Sequence, residues 1–184
     1  NDRAQAGDVL ILGKGIGVGV MGAALKKGEL GDKAYAQMIE ATTQLNSPGV
    51  ALAGLPGVHA MTDVTGFGLL GHLNEICRGA GLRADLRFAD IPVLSAAVPL
   101  AQAGYVTGAS DRNWNSVGPH TSLPAEFPEW QRKLLCDPQT SGGLLVSCDR
   151  VTAPRVLDIF RAGGFSSACE IGTLGAGEPS IHVA

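Results

Sequence analysis

Val58-His59-Ala60-Met61-Thr62-Asp63-Val64-Thr65-Gly66-Phe67-Gly68-Leu69-Leu70-Gly71-His72-Leu73 is the most informative stretch of the chain. Residues 58–61 read as a short apolar strand that runs on to the carboxylate of Asp63. A glycine-punctuated turn follows, and then a helix whose apolar positions Leu69, Leu70, Leu73, Ile76 and Cys77 recur at helical spacing until Gly79 or Gly81 closes it. A carboxylate at a strand end, beside peptides without side chains, can hold a cation against a polyphosphate. Asp63 supplies the hard oxygen that Mg²⁺ prefers, and Gly66 and Gly68 let peptide N–H groups approach phosphate. The same residues also fit a helix cap at Asp63 and a turn that its glycines merely shape.

Outward from this stretch, strands and helices alternate. A strand is expected over 8–12, a helix over 33–45, and a short helix from Pro48 with Ser47 as its cap, stopped at Leu55-Pro56-Gly57. Residues 82–88 alternate apolar and charged side chains and form the clearest half-buried strand. Residues 91–103 read as a helix interrupted by Pro99. No periodicity appears over 104–124, which is expected to be an irregular functional or disordered connection. A helix over 126–135, a strand over 144–148, a helix over 151–162 and strands over 168–174 and 180–183 complete the chain. The order predicts an α+β fold, a mixed β-sheet flanked by α-helices.

Composition narrows the function classes. The 184 residues suit one domain with its own core, and 45% hydrophobic against 17% charged residues excludes a disordered chain. Net charge is −3 with no basic run, so there is no electrostatic footprint for nucleic acid or membrane. No apolar run reaches the ~18 residues of a bilayer span. Cys77, Cys136, Cys148 and Cys169 form no C-x-x-C pair and read as reduced thiols of a cytoplasmic protein. Residues 1–6 are a polar leader without an initiator Met or signal peptide. They are expected to be a linker remnant, with 7–184 as a domain of a longer polypeptide.

Other features have two readings each. Gly17-x-Gly19-x-x-Gly22 matches the dinucleotide fingerprint, but no second strand with a closing acid follows at the required distance, and a tight strand-to-helix junction fits better. Lys14 could meet phosphate, though a Lys at a strand end is usually solvated. The segment Ser110-Asp111-Arg112-Asn113-Trp114-Asn115 could contact a ligand or form Asx turns. Thr140-Ser141-Gly142-Gly143 suits an anion or a sharp turn. His59 and His72 have no partner at ligand spacing and read as packed or capping residues.

The segments 63–72 and 134–145, the opening from Gly7-Asp8 and Ser110-x-Arg112-Asn113 resemble selenophosphate synthetases (selenide, water dikinases), in that family's order. The resemblance runs from about Gly7 to the end and is to the family's C-terminal domain, of the aminoimidazole ribonucleotide synthetase type. It implies a mixed sheet flanked by helices. It also implies a full-length, homodimeric enzyme that converts ATP, selenide and water to selenophosphate, AMP and phosphate with Mg²⁺. Asp63 would be the metal ligand on this chain; Gly66, Gly68, Asn113, Thr140 and Ser141 would lie near the nucleotide phosphates. The reactive Cys or selenocysteine, its Lys and most of the metal-binding Asp residues belong to the N-terminal domain, the implied partner, so no catalytic residue is expected here. The glycine turn after the first strand departs from the family: Lys14 is present, but the usual Pro and Thr are not. Alternatives are another ATP-using member of the superfamily, such as aminoimidazole ribonucleotide synthetase, a non-catalytic binding or assembly module, or an NAD-binding oxidoreductase.

Overall fold

The computed structural model describes residues 2–184; residue 1, where the expected leader begins, lies outside the described residues. The elements are β1 (Val9–Leu12), α1 (Val18–Lys26), α2 (Asp32–Thr43), α3 (Pro48–Leu52), β2 (Val58–Asp63), α4 (Gly68–Ala80), β3 (Leu82–Leu86) and α5 (Ala97–Gln102). After these come α6 (Gly108–Val117), β4 (Thr121–Ser122), α7 (Glu129–Leu135), β5 (Leu144–Cys148), α8 (Ala153–Ala162), β6 (Cys169–Ala176) and β7 (Ser180–Val183). The strands form one sheet in the order β2-β5-β1-β6-β3-β7-β4. β7 runs parallel to β3 and β4; the other pairings are antiparallel. This is the α+β mixed sheet expected from the sequence.

Burial explains which strands were easy to read. β1 lies between two cores, with Leu10 and Leu12 in the larger one and Val9 and Ile11 in the smaller. Its unbroken apolar run follows from being covered on both faces. The larger core takes Val20 and Met21 of α1, Leu69, Leu70, Leu73 and Ile76 of α4, and Leu134 and Leu135 of α7. The smaller one takes Leu52 of α3 with Val156 and Phe160 of α8. β3 contributes Leu82, Ala84 and Leu86 to the larger core only. Arg83 and Asp85 pair on its other, open face at 3.0 Å, so β3 alternates cleanly.

Three local expectations are corrected. Residues 104–124 carry the ten-residue helix α6 and the short strand β4. Ser110 and Val117 are the buried residues of α6, too few for a visible apolar period. The helix expected over 91–103 shrinks to α5, and a parallel bridge between Ile16 and Val93 holds the extended part. Ser47 is itself helical in conformation and makes no side-chain cap bond. The glycine run after β1 leads into α1, where Gly19 and Gly22 depress intrinsic propensity and tertiary packing restores it.

Lys14 is buried, at 4% exposure, and not solvated. Its Nζ donates to the carbonyls of Ala41 (3.1 Å), Gln44 (2.6 Å) and Ser141 (2.7 Å). Two of these acceptors lie at the C-terminal end of α2, where unsatisfied carbonyls favour a cation. Burial pushes the ammonium's pKa below its ordinary value, and the three acceptors compensate for lost water. Lys14→Met keeps the apolar stem but strands three carbonyls. It is expected to destabilise the domain by about 2–4 kcal/mol. A urea midpoint equal to that of the parent would contradict the clamp.

Candidate functional site

Asp63 is the last residue of β2, opposite Leu144 at the start of β5. Its side chain is exposed and, among the described residues, has no hydrogen-bond or ion-pair partner. It does not cap α4: that helix begins at Gly68, with Phe67 in the cap position and no side-chain cap bond. The carboxylate is therefore free to take a ligand from outside the domain.

The two motif turns meet. Val64 N–H donates to Gly143 O at 2.9 Å, and Gln139 N–H to Thr65 O at 3.0 Å. Asn113, on α6, spans them with one amide nitrogen, donating to Gly66 O and Cys136 O at 2.9 Å each. Gly66, Asn113 and the Thr140–Ser141 turn thus form one edge with Asp63. Thr140 and Ser141 are exposed, and among the described residues no partner engages their hydroxyls. Ser141 adopts a left-handed φ of 49°, and its carbonyl is held by Lys14. Thr140 also lines an open groove of about 900 Å³, shared with Lys26 at the end of α1 and Lys27 just after it.

The glycines of the first turn divide by cause. Gly68 has φ +71°, and a Cβ there would lie 2.6 Å from the Cys136 carbonyl carbon. Its bareness serves the packing of the two turns against each other. A Cβ on Gly66 would meet nothing within 4 Å, and Gly66 is exposed. The packing of this domain does not require glycine there. Phe67 beside it is 60% exposed.

Two residues that sequence reasoning did not single out, Asp137 and Gln139, organise the inner side of the site. Gln139 Oε1 accepts the N–H groups of Gly17 and Val18, both at 3.1 Å, and Asp137 Oδ2 accepts Gly19 N–H at 2.8 Å. Gln139 Nε2 donates to the Asp137 carbonyl (2.7 Å) and to its Oδ2 (2.9 Å). The open donors of α1 are consumed by side chains from the far end of the chain, so this N-terminus is not an anion cradle. With β1 antiparallel to both of its neighbours, the dinucleotide reading is also removed. Burial raises the Asp137 pKa to about 7, against the lowering effect of Val20 N–H, Gln139 and Gly19 N–H. Apart from the family resemblance over 134–145, the local signal was four polar residues, Asp137, Gln139, Thr140 and Ser141, between the apolar pairs Leu134-Leu135 and Leu144-Leu145.

The remaining candidates are structural. His72 Nε2 lies 3.2 Å from Thr65 Oγ1, and His59 Nδ1 lies 2.8 Å from Asp8 Oδ1, whose carboxylate also accepts Ser147 Oγ–H. Burial pushes the thiols of Cys77, Cys136 and Cys148 up to about 12, which makes them inert. Among the described residues no three His, Cys, Asp or Glu side chains converge on a metal position. No helix of the described residues is long and apolar enough to cross a membrane.

The family model for the AIR synthase related protein, C-terminal domain, matches residues 5–184. Selenide, water dikinase of Paraburkholderia xenovorans (strain LB400) is 57% identical over 183 residues, covering 100% of this chain and 52% of the relative. The Dechloromonas aromatica (strain RCB) protein of the same name is 54% identical, covering 100% and 53%. The chain spans about half the length of the curated relatives it matches. Among solved structures, the hydrogenase maturation protein HypE in complex with ATP has a TM-score of 0.71 at 16% identity, covering 100% of this chain and 49% of that one. Thiamine-monophosphate kinase from Stenotrophomonas maltophilia K279a has a TM-score of 0.68 at 16% identity, covering 99% and 51%. At that identity the likeness is one of fold.

Two outcomes test this geometry. Gly68→Ala should cost about 2–4 kcal/mol, through both positive φ and the Cys136 contact, while Gly66→Ala should stay within about 0.5 kcal/mol of the parent. Equal denaturation midpoints for the two variants would refute the division. Asp137 binds a proton more tightly folded (about 7) than its ordinary 3.8, so stability falls as pH rises through that window. The slope is at most about 1.4 kcal/mol per pH unit. Asp137→Asn removes this dependence, and parallel stability curves for variant and parent between these values would exclude it.

Proposed function

The chain belongs to the AIR synthase related protein, C-terminal domain family, and from its similarity along its whole length to two selenide, water dikinases we propose that it is the C-terminal half of such an enzyme. The whole enzyme would convert ATP, selenide and water to selenophosphate, AMP and phosphate. Residues 7–184 would be the domain and 1–6 the linker to an N-terminal domain that carries the nucleophile and most of the metal ligands. We further propose a cytoplasmic homodimer for the full-length protein.

One observation carries the reading: the exposed, unpartnered carboxylate of Asp63 at the end of β2, on the same edge as two conjoined turns. A buried or ion-paired Asp would have a structural role; this one has none inside the domain. Mg²⁺, when bound, would neutralise charge on the ATP phosphates, the main requirement of phosphoryl transfer. On this chain, Asp63 would hold the metal from one side. Gly66 would let substrate pass close to the backbone where a side chain would intrude. The free hydroxyls of Thr140 and Ser141 could donate to phosphate oxygens. Asn113 has both donors of its amide nitrogen committed to the protein, on Gly66 O and Cys136 O.

A single carboxylate is a weak Mg²⁺ ligand, because the ion dehydrates reluctantly and needs further oxygens. The isolated chain should therefore fold but bind Mg-ATP weakly, and micromolar or tighter binding by calorimetry would contradict a divided site. In the full-length protein, Asp63→Asn keeps the shape and removes the charge. Selenophosphate formation should fall at least ~100-fold, with the melting temperature of this domain unchanged. Near-normal turnover at saturating Mg²⁺ would remove the metal assignment.

A further inference from the structure

We propose that Asn113 is a positioning residue: it fixes the turn that presents Asp63 by tying it to the 136–143 turn, without touching the metal or the substrate itself. The proposal rests on the reading of Asp63 as a metal ligand. The Asn113 side chain has one nitrogen with two donors, and both are used at 2.9 Å, on the carbonyls of Gly66 and Cys136. The acceptors belong to different motifs that are remote in sequence. Cys136 O is a carbonyl at the C-terminal end of α7, where intrahelical donors are lacking. Gly66 O lies at the exposed tip of the first turn.

The rest of that turn is held from its inner side, by Gln139 N–H on Thr65 O and by Gly68 N–H on the same carbonyl at 3.1 Å. Among the described residues, Gly66 O has Asn113 as its partner and no other. The base of the latch is firm. Ser110 and Val117 are buried on α6, and the ring of Trp114 lies under Arg132 of α7 at 4.9 Å. A side chain on a packed helix can therefore set the height of an exposed turn three residues beyond the carboxylate. Outer-shell residues of this kind usually change metal affinity about 10–100-fold when removed.

Asn113→Asp is nearly isosteric but has no donor, and it points a carboxylate at two carbonyl oxygens. Asn113→Ala deletes the latch without adding charge, and serves if the Asp variant fails to fold. In the full-length protein, the Mg²⁺ concentration for half-maximal turnover should rise at least ~10-fold for either variant, with kcat at saturating Mg²⁺ nearly preserved. A purely structural role would lower the melting temperature and leave that Mg²⁺ dependence unmoved. Independently of activity, exchange of the Gly68 amide, which is hydrogen-bonded to Thr65 O within the same turn, should quicken at least ~10-fold, while exchange in β3 stays at the parent rate. Parent-like Mg²⁺ dependence and unchanged exchange at Gly68, with Asp63→Asn still inactive, would overturn the latch alone. Near-normal Asp63→Asn would overturn the metal reading, and this proposal with it.

Discussion

The geometry of the site depends on a seam of backbone hydrogen bonds between two turns remote in sequence. Val64 N–H reaches Gly143 O, Gln139 N–H reaches Thr65 O, and the β2–β5 ladder leads directly into both. An antiparallel pair is in register only where its side chains suit the face they land on. Here Leu145 enters the larger core and Leu144 and Val146 the smaller, so the pairing that buries them also sets Asp63 opposite Leu144. The exposed carboxylate is placed by hydrophobic burial two or three residues away.

Polar residues then secure what burial places. Lys14, Asp137 and Gln139 are almost fully enclosed, and each meets backbone groups that would otherwise be unsatisfied. Lys14 answers the carbonyl end of α2; Gln139 and Asp137 answer the amide end of α1. Buried polar groups of this kind are costly when broken and add little net stability when made. Their contribution is uniqueness: the 136–143 turn can sit in one place because four chain segments find their partners there.

That economy explains what the sequence could and could not disclose. Helix α4 and the alternating β3 were legible because each is governed by local periodicity and a single covered face, and β2 with its terminal Asp63 because its short apolar run packs against both cores. α6 was not, since its two buried residues leave no period and its polar surface imitates a loop. Lys14 was misjudged as solvated because its acceptors come from α2 and Ser141, contacts that exist only after folding. The joining of the two motifs was visible only as resemblance to a family; hydrogen bonds across most of the chain have no local signature. Asn113 was named as a ligand-side residue, and the geometry instead gives its donors to the protein.

Gly66 and Gly68 carry this distinction to the scale of single atoms. They are two residues apart in one turn and look equivalent in the sequence. Gly68 is glycine because the domain demands it, through a positive φ and the Cys136 backbone pressed against its Cα. Gly66 could accept a methyl group without contact. A bare, exposed peptide beside an unpartnered carboxylate and a largely exposed Phe67 therefore has no cause within this domain. Any cause lies in what approaches from outside, which is where the proposed metal site would find its remaining oxygens.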